Sequence, residues 1–314
     1  MGFFPEFDFE RVFVDPWVYN SWIVVLAFLT AAACGLVGNY VVLRRMALVG
    51  DAISHSVLPG IVVAFVLFNA SSGWPMYLGA FVAGLATTWL IDIIHSKTRI
   101  KQDAAIGITF TVLFSIGVIL VNLFADKVHF DADCVLFGEL EQVGESMVVG
   151  GVTLPPASVL RMGFIALAVL VLVLLFYKEL LVTSFDPVLA TSLGINSRWA
   201  HRGLMMVLTL VVVGAFEAVG SILVIAMLIL PGATALLLTD RLKHMVWITL
   251  LHAALSSVIG FHLSMYLEVR TGAAVILGGT FLFLLAWLFS PKHGVIVRAF
   301  RKVEMTEESA AASS

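Results

Sequence analysis

The run Ser21-Trp22-Ile23-Val24-Val25-Leu26-Ala27-Phe28-Leu29-Thr30-Ala31-Ala32-Ala33-Cys34-Gly35-Leu36-Val37-Gly38-Asn39-Tyr40-Val41-Val42-Leu43-Arg44-Arg45 carries no charge until its last two residues. A helix needs about 20 apolar residues to cross the hydrocarbon core of a bilayer, and this run supplies them before two arginines close it. The pattern repeats. Apolar stretches fit for the same task lie near 21–43, 52–68, 74–94, 103–124, 160–178, 203–219, 220–238, 245–266 and 271–290. The chain is 61% hydrophobic and 12% charged, with a mean hydropathy of +1.04. No soluble domain of 314 residues could hide so much apolar surface. The fold class is therefore an all-α polytopic membrane protein of about nine transmembrane helices, or eight if the sixth and seventh merge across Gly214 to Gly220.

Basic residues set the orientation, because cytoplasmic loops are rich in Lys and Arg. With the N-terminus outside, every Lys and Arg except Arg11, Lys127, Arg161 and Arg270 falls on the inner face. The expected layout is an interfacial N-terminal segment at 1–20, a transmembrane domain at 21–290 and a cytoplasmic tail at 291–314, in the cell (inner) membrane with N-terminus out and C-terminus in. Trp17, Tyr19 and Trp22 suit the headgroup level. A net charge of −3 gives no reason to expect nucleic acid as a partner. Cys34 lies within a span, which argues against a disulfide with Cys134.

Two loops stand out. The outer one, 125–159, carries Asp126, Asp131, Asp133, Glu139, Glu141 and Glu145; it reads as a solvated loop large enough to receive an extracytoplasmic partner. The inner one, 179–202, contains Asp186-Pro187, which resembles a helix start with the acid as N-cap and proline in the first turn. Gly194 supplies a C-terminal stop. The expected product is a two-turn, semi-apolar helix shaped to sit in a groove on a soluble protein.

The chemistry concentrates in Arg44-Arg45-Met46-Ala47-Leu48-Val49-Gly50-Asp51-Ala52-Ile53-Ser54-His55-Ser56-Val57-Leu58-Pro59-Gly60. Asp51 and His55 are four apart, hence on one helical face. Ionisable groups inside a membrane face a polar pathway or a partner. A carboxylate and a neutral imidazole make a ligand pair for a divalent transition metal; the alternative is a hydrogen-bonded pair that holds helices together.

Three stretches together resemble the permease subunits of ABC-type manganese, zinc and iron importers. They are Arg44 to Gly60, Ser184 to Gly194, and Gly214-Ala215-Phe216-Glu217-Ala218-Val219-Gly220 onward through Pro231-Gly232 to Ala235. Asp103-Ala104-Ala105-Ile106-Gly107 adds a shorter match. The resemblance covers nearly the whole chain. It implies the architecture of cobalamin and siderophore importers: a second permease copy or paralogue, a cytoplasmic ABC ATPase dimer, and an extracytoplasmic metal-binding protein. It further implies no permanently bound cofactor, with a divalent metal, manganese before zinc or iron, as substrate. It casts Asp51 and His55 as metal contacts, and Asp186, Pro187, Ala190, Leu193 and Gly194 as the ATPase-coupling segment. The chain has no Gly-rich Lys-Ser/Thr loop for phosphates, in keeping with hydrolysis by a separate subunit.

Other polar residues are weighed singly. Glu217 is a gate or a ligand at the outer mouth of the pathway, unless it only bonds the turn beside Gly214 or Gly220. Pro231-Gly232 is expected to break the seventh span and free backbone carbonyls, or else to form a packing kink. Asp92 and His95 read as an inner-face cap or an ATPase contact, His252 and His262 as packing residues, and Asn39 and Asn122 as amides bonded across helices. An ion-coupled secondary carrier is disfavoured by the capped inner helix. An intramembrane metalloenzyme would need a His-Glu-x-x-His run, which the chain lacks.

Overall fold

The computed structural model describes residues 21–68, 73–124, 140, 148–149, 152–153, 155–291 and 294–295. The interfacial segment at 1–20, Cys134, the outer-loop acids and nearly all of the tail lie outside the described residues.

The architecture is helical. In chain order the helices are α1 (Ser21–Leu43), α2 (Leu48–Ser56), α3 (Leu58–Phe68), α4 (Trp74–Lys97), α5 (Gln102–Leu123), α6 (Ala157–Leu175), α7 (Tyr177–Phe185), α8 (Pro187–Ser192), α9 (Ser197–Val219), α10 (Ser221–Leu238), α11 (Leu242–Leu267) and α12 (Thr271–Phe289). A minimal antiparallel ribbon pairs Val148 with Thr153 and Val149 with Val152 in the 125–159 loop. Among the described residues, eight segments are long and apolar enough to cross a membrane, with α2 and α3 counted together. Helix α10 adds a shorter apolar run, Leu223–Leu238, as a candidate ninth.

That ninth helix settles whether the sixth and seventh spans merge. Gly220 ends α9 and begins α10 with φ +77°, a conformation that costs glycine nothing and other residues much more. Leu223 packs on Gly272 near the start of α12, and Ser290 just beyond the far end of α12 donates to the Leu237 carbonyl at 2.6 Å. Helix α10 thus runs beside α12 from end to end in the same direction, so it spans what α12 spans.

At the centre stands α1. From Ala31 to Val41 every residue is buried, and α6, α9, α10 and α11 all pack around it. Small side chains permit this, as they do in membrane bundles generally. A Cβ at Gly38 would overlap the Leu228 carbonyl oxygen of α10, and one at Gly35 would fall 3.0 Å from Pro231 Cβ. Pro231 therefore sits in the α1–α10 crossing. Of the two alternatives for Pro231, a broken span and a packing role, the break is absent, since α10 is helical on both sides of it, and the packing role fits.

Helix ends sort onto two faces. Arg44 at the end of α1 bonds residues at the end of α7, and Asp92 late in α4 bonds His201 early in α9. On the opposite face, Arg161 early in α6 lies over the Tyr77 ring early in α4, 5.1 Å from its centroid. The first face also carries Arg45, Lys97, Arg99, Lys101, Arg198 and Arg202, so it is the basic one.

Several boundaries differ from the sequence reading, among them the start of α9 at Ser197 rather than 203. The span drawn at 160–178 ends at Leu175, and α7 follows after a break at Phe176, so the inner stretch holds two helices rather than one. The second span starts earlier, at Leu48, and is divided into α2 and α3 at Val57. Pro59, in the first turn of α3, lacks the N–H that would tie a continuous helix to the His55 carbonyl.

Candidate metal-pathway site

Helix α2 places the acid and the imidazole. Asp51 is in its first turn and His55 in its last, the favourable order for an acid and a base along a helix. His55 Nε2 lies 3.3 Å from Asp51 Oδ1. The two side chains are 28% and 37% exposed, respectively. The pair is thus neither sealed in the core nor fully open. Ser54 and Ile53, on the other side of α2, are buried; Ser54 donates back to the Gly50 carbonyl at 3.0 Å, which leaves the polar face to Asp51 and His55.

Two aromatic rings complete the setting. Phe110 and Phe114 of α5 stand 5.4 Å and 6.0 Å from the imidazole, centroid to centroid, and the second meets it edge-on. They limit the rotation of His55 and keep one side of it dry. These residues went unremarked in the sequence, although their own four-residue spacing matches that of the pair they flank. Among the described residues no group of three or more His, Cys, Asp or Glu side chains gathers to hold a metal. Asp51 and His55 therefore stand as a pair, with no third His, Cys, Asp or Glu beside them among the described residues.

The short helix α8 forms as its sequence anticipates. Asp186 Oδ1 accepts from the Val188 and Leu189 N–H groups at 3.0 and 2.9 Å, Pro187 occupies the first position, and Gly194 at φ +82° donates to the Thr191 carbonyl. Ala190 is buried and backs the helix against the body of the protein. Val188, Leu189 and Leu193 face outward, with Phe185 beside them. The outcome is an apolar face on the basic side of the molecule.

The remaining candidates part company. Asp92 pairs with His201 Nε2 at 3.1 Å, not with His95, whose Nδ1 meets the Ile100 carbonyl at 3.3 Å. The partner comes from a helix more than a hundred positions away, beyond reach of local spacing. His252 is buried and donates to the Gly279 carbonyl at 3.1 Å, a packing role as anticipated. Asn39 accepts from Thr249 of α11 at 3.0 Å, bonding across helices; Asn122 instead bonds the Val118 carbonyl of its own helix. The side chain of Glu217 lies outside the described residues.

Comparisons with known proteins converge. A family model described as the ABC 3 transport family matches residues 18–290. The manganese transport system membrane protein MntD of Bacillus subtilis (strain 168) is similar at 40% identity over 293 residues, covering 93% of this chain and 99% of that protein. The zinc transport system membrane protein TroD of Treponema pallidum (strain Nichols) is 41% identical over 276 residues, 88% of this chain and 75% of that one. Among solved structures, PsaBC from Streptococcus pneumoniae in complex with Fab superposes with a TM-score of 0.74 at 34% identity, covering 90% of this chain and 96% of that chain.

Proposed function

The chain belongs to the ABC 3 transport family, and from that premise we propose that it conducts manganese(II) into the cytoplasm. It is the multi-pass membrane permease of an ABC transporter and not an enzyme; ATP is hydrolysed by a separate subunit. The proposal adds the metal, the ligands, the orientation and the partners: an ATPase dimer under the basic face, a metal-binding protein on the opposite face, and a second permease copy or paralogue across the pathway.

The observation that carries the proposal is the Asp51–His55 pair on α2. With ligand bonds of about 2.1 Å, a separation of 3.3 Å corresponds to a ligand–metal–ligand angle of about 100°. That angle lies between octahedral and tetrahedral values, so the pair can serve ions of either habit. One hard oxygen and one nitrogen without thiolate suit manganese. Binding through two protein ligands per chain, with water or the second permease filling the rest, lets the ion leave as readily as it arrives. ATP-driven movement of α8 would then switch which face of the membrane the pair can reach.

Zinc is the second reading, supported by the similarity to TroD and by the tolerant angle. The test is uptake of radioactive manganese by cells that express the permease with its ATPase and binding protein. Unlabelled manganese should suppress the signal at lower concentration than zinc or iron. Stronger suppression by zinc would replace manganese as the substrate.

A further inference from the structure

One group outside the metal pair links it to the inner helix. Arg44 closes α1, seven residues before Asp51. Its Nε donates to Ser184 Oγ at 3.1 Å, and its Nη2 donates to Thr183 Oγ1 at 2.9 Å. Thr183 is buried and its own hydroxyl donates a hydrogen bond to the Glu179 carbonyl at 2.7 Å. Ser184 stands two residues ahead of Asp186, the N-cap of α8.

We propose that Arg44 is a positioning residue that transmits movement of the ATPase-docking helix α8 to the metal-binding helix α2. The inference rests on the roles assigned above to α8 and to Asp51 and His55. Its geometry is continuous in both directions. Toward α8, Ser184 is followed by Phe185 and then by Asp186, whose own N–H remains bonded to the Val182 carbonyl at 2.9 Å. Toward α2, the turn is tied down by its backbone: Arg45 at φ +57° donates to the Val42 carbonyl, Met46 to the Val41 carbonyl at 2.9 Å, and Val49 to the Met46 carbonyl at 3.1 Å. Met46 is buried at the middle of this turn. No slack segment intervenes between the guanidinium and the start of α2.

The residue type matters. A guanidinium is a rigid plane with its N–H groups in a fixed fork, so two bonds set an angle as well as a distance. A lysine would keep the charge but meet the two hydroxyls through a single flexible point. An arginine that merely faced solvent would not reach partners 139 and 140 positions away in sequence.

The test uses the full transporter, permease with ATPase and binding protein, in vesicles where ATP hydrolysis and manganese uptake are both measured. Arg44→Gln should leave hydrolysis within about twofold of wild type while uptake falls about tenfold, so less metal moves per ATP. Arg44→Lys should fall between. Thr183→Val with Ser184→Ala should reproduce the loss, and adding Arg44→Gln to that pair should cost little more. Hydrolysis and uptake falling in proportion, or additive losses in the combined variant, would overturn the proposal. Should Arg44→Gln fail to assemble, Arg44→Lys and the hydroxyl pair carry the same test. Failure of the underlying roles shows separately in the same vesicles, as full uptake by Asp51→Ala or undisturbed coupling in Leu193→Asp.

Discussion

Gly38 and Asp51 mark the two kinds of residue on which the account depends. At Gly38 the α1–α10 crossing leaves no room for a Cβ. Gly38→Val should separate the two helices and cost about 3 kcal/mol or more, the upper range for overpacking a close contact. Thermal unfolding of the purified permease checks this; an unchanged midpoint would show that the crossing can yield. Asp51 belongs to the other kind, being partly exposed beside His55. Its pairing with His55 was legible in the sequence because a helix brings residues four apart together whatever the rest of the fold does. The partner of Asp92 was not legible, since His201 arrives only through packing of α9 on α4. Arg44 is a similar case: read alone it marks an inner helix end, while its bonds to Thr183 and Ser184 are tertiary.

At the scale of elements, local signals were strongest where the chain caps itself. Asp186-Pro187 and Gly194 announced α8, and the cap bonds and positive φ are present. Helix α7 was hidden because the apolar run through Leu172 to Tyr177 continues without Gly or Pro, so nothing in the pattern marks the turn at Phe176. Of the two readings of Pro231, a broken span or a packing feature, the second is the one that fits. Proline removes one backbone donor, but tight packing of α10 against α1 keeps the helix intact around it. The exposed apolar face of α8 carries a prediction. Leu193→Asp should place a charge in the ATPase contact and lower manganese uptake about tenfold, while the permease still reaches the membrane in normal amount. Uptake and ATPase copurification both unchanged would remove α8 from the interface.

For the whole molecule, hydropathy drew nine apolar stretches and each holds a helix, because in lipid every backbone bond must close within its own helix. The order of the helices and the central place of α1 were not readable, since both depend on which small residues meet. The orientation drawn from the Lys and Arg residues predicts that the basic face is the cytoplasmic one. It yields a direct test in a background with Cys34 and Cys134 replaced by alanine. Val269→Cys, between α11 and α12, should react with a membrane-impermeant thiol reagent on intact cells with the outer barrier opened. Thr98→Cys, between α4 and α5, should react only once the inner membrane is breached. The reverse pattern would turn the protein over in the membrane and place α8 away from ATP.

The central claim is that Asp51 and His55 touch the ion during its passage. Manganese uptake by Asp51→Ala and by His55→Ala, compared with wild type at equal abundance of the assembled transporter, tests it most directly. The account predicts that each variant assembles and that each loses at least about 90% of uptake, the tenfold effect of one lost ligand interaction. Wild-type uptake in both variants would contradict it and return the pair to helix packing.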